Sequence, residues 1–149
     1  MNKKLTIFAV IVLGVAFILN ALHNLSRDVS LSDWASQASG YSDAFEQQKQ
    51  SGKPIAVLFY TDWCAACKTL KAEVLSSPKV QDYMKTLHAV KINPEMGQDA
   101  ANLAKQFGVK GYPMFFMVLK NGQEVKYIRR TNNITPEQFI AQLEKATRP

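Results

Sequence analysis

Cys64 and Cys67 are the two cysteines of this 149-residue chain, and they stand three apart in Thr61-Asp62-Trp63-Cys64-Ala65-Ala66-Cys67-Lys68. Thiols at this spacing can cycle between a dithiol and a disulfide, and with no third cysteine any intramolecular disulfide joins this pair. The thiolate is the reactive form, so what matters is which surroundings help a thiol lose its proton. The apolar run from Ile55 to Tyr60 reads as a buried strand and Lys68 to Leu75 as an amphipathic helix, which puts the pair at a strand-to-helix junction. The unpaired N–H groups and positive dipole end at a helix start favour an anion at Cys64. Cys67, one turn later on the same face, can attack a mixed disulfide formed at Cys64 and release the reduced partner.

The same spacing also suits two inert buried side chains or half of a zinc site. Zinc would take four ligands, and the other soft or imidazole donors are His23 and His88, neither at finger spacing. Redox chemistry is therefore the favoured reading. Trp63 is either a core aromatic or, beside an exposed nucleophile, an apolar rim against which substrates pack.

The surrounding elements follow from periodicity. Val29 to Gly40 is Ser-rich and reads as a tether or short helix containing Leu31 and Trp34. Tyr41, Ala44, Phe45 and Gln48 keep a helical spacing until Ser51-Gly52-Lys53-Pro54. A short helix runs from Pro78 to Met84, and the alternation from His88 to Ile92 is a strand. Ala100, Leu103, Ala104 and Phe107 make a helical apolar face stopped by Gly108. Met114 to Leu119 and Glu124 to Ile128 form a hairpin across Lys120-Asn121-Gly122-Gln123, with a favoured Asn-Gly turn. Thr135-Pro136-Glu137-Gln138 carries a capping box and opens a last helix that buries Phe139, Ile140 and Leu143. This order predicts an α/β fold in three layers, α/β/α, with a central mixed sheet.

Trp63-Cys64-Ala65-Ala66-Cys67-Lys68, followed by Gly111-Tyr112-Pro113, resembles the thioredoxin superfamily over roughly residues 40 to 147. Asp62 to Lys68 and Ser76-Ser77-Pro78-Lys79-Val80 look most like the C-terminal domain of the disulfide-interchange reductase DsbD and similar membrane-anchored periplasmic proteins. The resemblance implies a thioredoxin fold and a catalytic pair in which Cys64 is the nucleophile and Cys67 the resolving thiol. Pro113 alone reads as an ordinary proline at a strand start. The resemblance implies instead a cis peptide bond facing the cysteines, with the Tyr112 backbone left to pair with a substrate strand. Tyr112 and Met114 are bulkier than the residues expected beside that proline, which implies a narrower or more aromatic groove.

Thioredoxins carry a buried aspartate six residues before the first cysteine, and here that position is Leu58. Lys91 matches a lysine found near that aspartate. It is the proton-transfer candidate if its ammonium faces Cys67, where its charge favours the thiolate, and otherwise a surface lysine. Asp62 and Glu73 are alternatives nearer in sequence.

Leu5 to Leu22 is uncharged after Lys3 and Lys4, and as a helix it would cover roughly 27 Å, close to a bilayer's hydrocarbon thickness. The flanking charges predict a cytoplasmic N-terminus and an exported domain. Asn20-Ala21-Leu22-His23-Asn24 lacks the small residues of a cleavage site, which favours an uncleaved signal-anchor over a signal peptide released to the periplasm. The domain plan is thus 1–25 as signal-anchor helix, 26–40 as tether or short helix, and 41–149 as the thioredoxin-like domain.

The net charge of +6 is spread without an Arg-rich block or nucleic-acid module, so the reading is a solvated basic surface and no nucleic-acid partner. No cofactor is expected beyond the redox-active Cys64–Cys67 disulfide. With no nucleotide motif and no second cysteine pair, electrons would come from another protein, by resemblance a membrane electron donor of the DsbD type. The recipients would be disulfide-bearing exported proteins in the bacterial periplasm, with the inner membrane held through the N-terminal helix. The Ala65-Ala66 pair lacks the histidine of strong oxidants and favours a disulfide reductase. An oxidase or isomerase, or a thioredoxin-fold chaperone or assembly subunit with incidental cysteines, are the alternatives.

Overall fold

The structure, a computed structural model, describes residues 11–18, 31–129 and 133–148. Ile55–Phe59 (β2) is apolar at every position because both faces of a central strand are covered, and all five residues are buried. It pairs in parallel with His88–Ile92 (β3), Ile55 opposite His88 and Leu58 opposite Lys91. On its other side it runs antiparallel to Met114–Leu119 (β4), which is antiparallel to Glu124–Ile128 (β5). A two-residue strand, Ala35–Ser36 (β1), adds parallel to β3, and the order across the sheet is β1-β3-β2-β4-β5.

The strand period of two divides the core into two layers. Ala56, Leu58, Phe115, Met117 and Ile128 face one side. They meet Leu70, Val74, Val80, Phe139 and Leu143 from helices Ala65–Leu70 (α2), Pro78–Met84 (α3) and Pro136–Thr147 (α5), with α2 continuing through a wider turn over Lys71–Leu75. Ile55, Val57, Phe59, Val90, Ile92 and Phe116 face the other side, against Ala44, Ala100 and Ala104 of helices Gln37–Ser51 (α1) and Gln98–Gln106 (α4). The expected three-layer arrangement with a mixed sheet is present, and the predicted capping box at Thr135 and Gln138 is formed.

Several boundaries differ from the sequence expectation. In the described part of the stretch read as tether or short helix, residues 31–33 turn and β1 follows. α1 then starts at Gln37, four residues before Tyr41. Leu31 and Trp34 are buried in the α2-side core, so this lead-in packs as part of the domain. The active-site helix starts at Ala65, not Lys68, because Cys64 itself supplies the cap. The hairpin, by contrast, has the expected bounds, with Leu119 opposite Glu124, and in its four-residue connection Lys120, Asn121 and Gly122 all have positive φ. The Asn-Gly pair therefore lies inside a longer loop than a two-residue turn.

Of the predicted Leu5 to Leu22 span, residues 11–18 are helical, with Ile11, Val12, Leu13, Val15, Phe17 and Ile18 exposed, and the rest lies outside the described residues. Eight residues of helix rise about 12 Å, less than half of a bilayer's hydrocarbon thickness. Among the described residues no helix is long and apolar enough to cross a membrane.

Candidate functional site: a capped disulfide beside a lysine-lined pocket

β2 ends at Phe59, and residues 60–63 carry the chain to Cys64 at the head of α2. Cys64 has extended backbone angles and occupies the N-cap position. Its Sγ accepts the Cys67 N–H at 3.1 Å, and its carbonyl accepts from the N–H groups of Cys67 and Lys68. Sulfur thus takes the place that a serine or aspartate oxygen fills in an ordinary N-cap, so the donor that caps the helix also stabilises charge on Cys64. Cys64 and Cys67 are joined as a disulfide with Cα atoms 5.2 Å apart, and both are buried.

The zinc alternative meets a geometric obstacle. His88 pairs with Ile55 at the start of β2, the opposite end of the sheet from the cysteines, and its Nε2 lies 2.8 Å from Ser51 Oγ. His23 lies outside the described residues. Among the described residues no three His, Cys, Asp or Glu side chains cluster as metal ligands.

Trp63 is two-thirds exposed, and a polar brace fixes it. Its indole Nε1–H donates to Glu95 Oε1 at 2.9 Å, and its ring stands edge-on to Tyr112 with centroids 6.2 Å apart. The Glu95 N–H in turn donates to Asn93 Oδ1. Asn93 is almost fully buried and also donates through Nδ2 to Asp62 Oδ2 at 3.2 Å. The Tyr112–Pro113 peptide bond is cis. Trp63 and Tyr112, predicted as substrate-binding residues, are therefore in contact. Asn93 and Glu95 were missed in the sequence; the available signal is the habit of an asparagine after a strand to bond the backbone N–H two residues on, as Asn93 does with Glu95.

Cys67 also lines a pocket of about 260 Å³, together with Leu31, Leu58, Tyr60, Thr61, Asp62, Lys68, Lys71 and Lys91. Lys91 and Cys67 thus share one cavity, with Leu58 as apolar wall where thioredoxins carry aspartate. Burial, and then the charge of Lys71, push the Lys91 ammonium below its ordinary pKa. Burial and the Asp62 carboxylate push the Tyr60 phenol up. Lys91 Nζ donates to the Leu31 carbonyl at 2.7 Å. Of the two carboxylate alternatives, Asp62 lines this pocket and is held by Asn93, whereas exposed Glu73 does not line it.

A helix-capping dithiol at the carboxyl end of a central parallel strand is the apparatus of a thiol-disulfide oxidoreductase. The chain belongs to the thioredoxin-like domain family, whose model matches residues 41–147. It is 33% identical over 97 residues to the thiol:disulfide interchange protein DsbD of Haemophilus ducreyi, covering 63% of this chain and 17% of that protein. It is 35% identical over 96 residues to the chloroplastic thioredoxin-like protein HCF164 of Oryza sativa subsp. japonica, covering 64% of this chain and 34% of that protein. The chain therefore spans about a sixth of the DsbD relative and a third of the other. Among solved structures, a DsbH oxidoreductase superposes with a TM-score of 0.64 at 25% identity, over 76% of this chain and 83% of that one. The oxidised C-terminal domain of DsbD from Neisseria meningitidis gives 0.63 at 24% identity, over 76% and 97% respectively, a likeness of fold.

Proposed function

We propose that this chain is a disulfide reductase for exported proteins, re-reduced by a membrane electron donor of the DsbD type and held at the inner membrane by its N-terminal segment. The observation that carries the direction is the pair Ala65-Ala66 between the cysteines, which puts no imidazole beside the capped Cys64 sulfur to favour the reduced form. The similarity to DsbD supports the donor. The exposed apolar residues of helical 11–18, within the uncharged run from Leu5, support the anchor, and Lys3 and Lys4 ahead of that run support a periplasmic domain.

The cycle starts from the dithiol. The Cys64 thiolate attacks one sulfur of a substrate disulfide, the substrate S–S bond breaks, and the departing substrate thiolate takes a proton. Cys67 loses its proton and attacks Cys64 Sγ. The mixed disulfide breaks, the second substrate thiolate leaves and is protonated, and two electrons have passed from the protein to the substrate. Trp63, Tyr112 and Pro113 form the face that receives the substrate strand. The Lys91 ammonium, in the cavity that Cys67 lines, favours the Cys67 thiolate electrostatically where Leu58 offers no carboxylate.

The deciding measurement is the reduction potential of the Cys64/Cys67 couple, read by equilibration against glutathione and then dithiothreitol. A reductase lies at or below about −200 mV, whereas a value near about −120 mV, that of a strong oxidant, would reverse the direction. Full function after replacing both cysteines by serine would select the chaperone reading instead.

A further inference from the structure

Residues 31–36 precede the family match at residue 41, yet they reach the redox site. β1 runs parallel to β3 with Ala35 opposite Val90 and Ser36 opposite Lys91, so Asp33 and Trp34 lie toward the start of β3, beside Leu87 and Ala89, and the turn brings Leu31 back to Lys91. The Leu31 carbonyl accepts both the Trp34 N–H at 3.4 Å, closing the turn, and Lys91 Nζ at 2.7 Å. The Leu31 side chain walls the cavity that Cys67 lines. Trp34 anchors the turn from beneath by standing edge-on to Phe115, the residue paired with Leu58. The fit extends into α1, where a Cβ on Gly40 would meet Ala35 at 3.0 Å.

We infer that this lead-in is a working part of the redox site, with Leu31 a positioning residue that holds the Lys91 ammonium at the back of the Cys67 cavity. The inference rests on the reading of Lys91 given above. A lysine side chain is a long, flexible stem whose ammonium is strongly hydrated, so it stays in a half-buried cavity only where an acceptor replaces water. Like charge works against it there, because Lys68 and Lys71 of α2 line the same cavity, opposed by Asp62, with Tyr60 the remaining titratable group besides the thiol. The Leu31 carbonyl is the acceptor that fixes the stem. If the turn loosens, Lys91 moves outward to water and Cys67 loses the charge that favours its thiolate. The lead-in and the resolving cysteine are thereby coupled through one hydrogen bond.

The test uses the full chain in detergent and follows reduction of an aromatic model disulfide by stopped flow. The first release reports attack by Cys64 and the second reports resolution by Cys67. Leu31→Ala should raise the apparent pKa of the second phase by about half a unit, roughly a threefold lower thiolate fraction on the acid side, and leave the first phase in place. Leu31→Met, which refills the volume, should restore the profile. In a Lys91→Met background Leu31→Ala should shift the profile no further. An unmoved second phase in Leu31→Ala, or an equal shift with Lys91 absent, overturns the inference while leaving the Lys91 reading intact. An unmoved profile in Lys91→Met itself removes that reading and the inference with it. Should Leu31→Ala not fold, Leu31→Val with an NMR titration of the Lys91 Cε carbon decides the matter: a displaced titration supports the inference and an unchanged one overturns it.

Discussion

The Trp63 indole is held from two sides, by the Glu95 carboxylate at 2.9 Å and by the edge-on Tyr112 ring. A large aromatic side chain that is two-thirds exposed yet fixed in one orientation loses little entropy when a partner covers it. Trp63→Ala should therefore lower kcat/KM toward a protein disulfide by about tenfold or more, mainly through KM, in line with the weight of aromatic anchors at interfaces. Reduction of a small model disulfide should change far less. Glu95→Gln, which keeps an acceptor for the indole, should fall close to the parent, and Glu95→Ala between the two. Steady-state kinetics on both substrates reads this; equal losses on both would move Trp63 from docking to chemistry.

Cys67→Ser should accumulate mixed disulfides through Cys64, because the thiol that releases the partner is gone. Non-reducing electrophoresis of the membrane fraction, followed by mass spectrometry, identifies the adducts. The same adducts from Cys64→Ser would exchange the two roles. In the reduced protein, Cys64 should alkylate first as pH rises, since it caps α2 and accepts a backbone N–H.

Leu58→Asp puts a carboxylate opposite Lys91 in the sheet register and against the wall of the Cys67 cavity. The lost packing and the buried charge should cost about 2–5 kcal/mol in chemical denaturation. In exchange the resolving phase should gain a second ionisation in its pH profile, which the parent lacks. A profile with one ionisation would show that the new carboxylate does not reach Cys67.

His88 makes a pH prediction at the far end of β3. Burial, and then the charge of Lys53, hold its imidazole below the ordinary value of 6.5. The unfolded chain therefore binds the proton more readily than the folded one, and stability rises with pH across the window between the two pKa values. The contribution is complete above about pH 6.5, falls as the pH drops toward the native-state pKa, and declines no further below it. Thermal unfolding of His88→Gln should lose this part of the pH slope. An unchanged slope would assign it to other groups.

Gly122→Ala tests the hairpin. Gly122 has φ of +82°, and an added Cβ would lie 2.8 Å from the Phe45 ring of α1. The substitution combines left-handed strain with a clash, so a loss of about 1–2 kcal/mol is expected from urea unfolding.

The parts of this fold written in strong local patterns were legible. The all-apolar Ile55–Phe59 reads as a central strand, Thr135 to Gln138 as a helix start, and the spacing of Cys64 and Cys67 as redox chemistry. What escaped depends on tertiary contact. A two-residue strand such as Ala35–Ser36 has no periodicity to detect, and it exists because β3 offers an edge. The start of α1 is hidden because Gln37 has a left-handed φ of 63° and Ser36 makes no side-chain cap hydrogen bond. Asn93 is polar and exposed by sequence habit but is buried here, satisfied by Asp62, Gln37 and Glu95 from three separate segments. Lys91 was recognisable as a position, while the carbonyl that holds it belongs to a residue sixty positions earlier.

The strand register also makes the molecule two-ended. Cys64 follows the carboxyl end of β2, whereas Ile55, at its start, pairs with His88 and Val118, about 13 Å away along the strand. Gly52, Pro54, Leu119, Lys120 and Thr147 gather at that second end, where α5 also finishes. A dye, a tether to a surface or an electrode contact placed there would leave the cysteine face open, so electron exchange with whole partner proteins could be watched on an immobilised molecule.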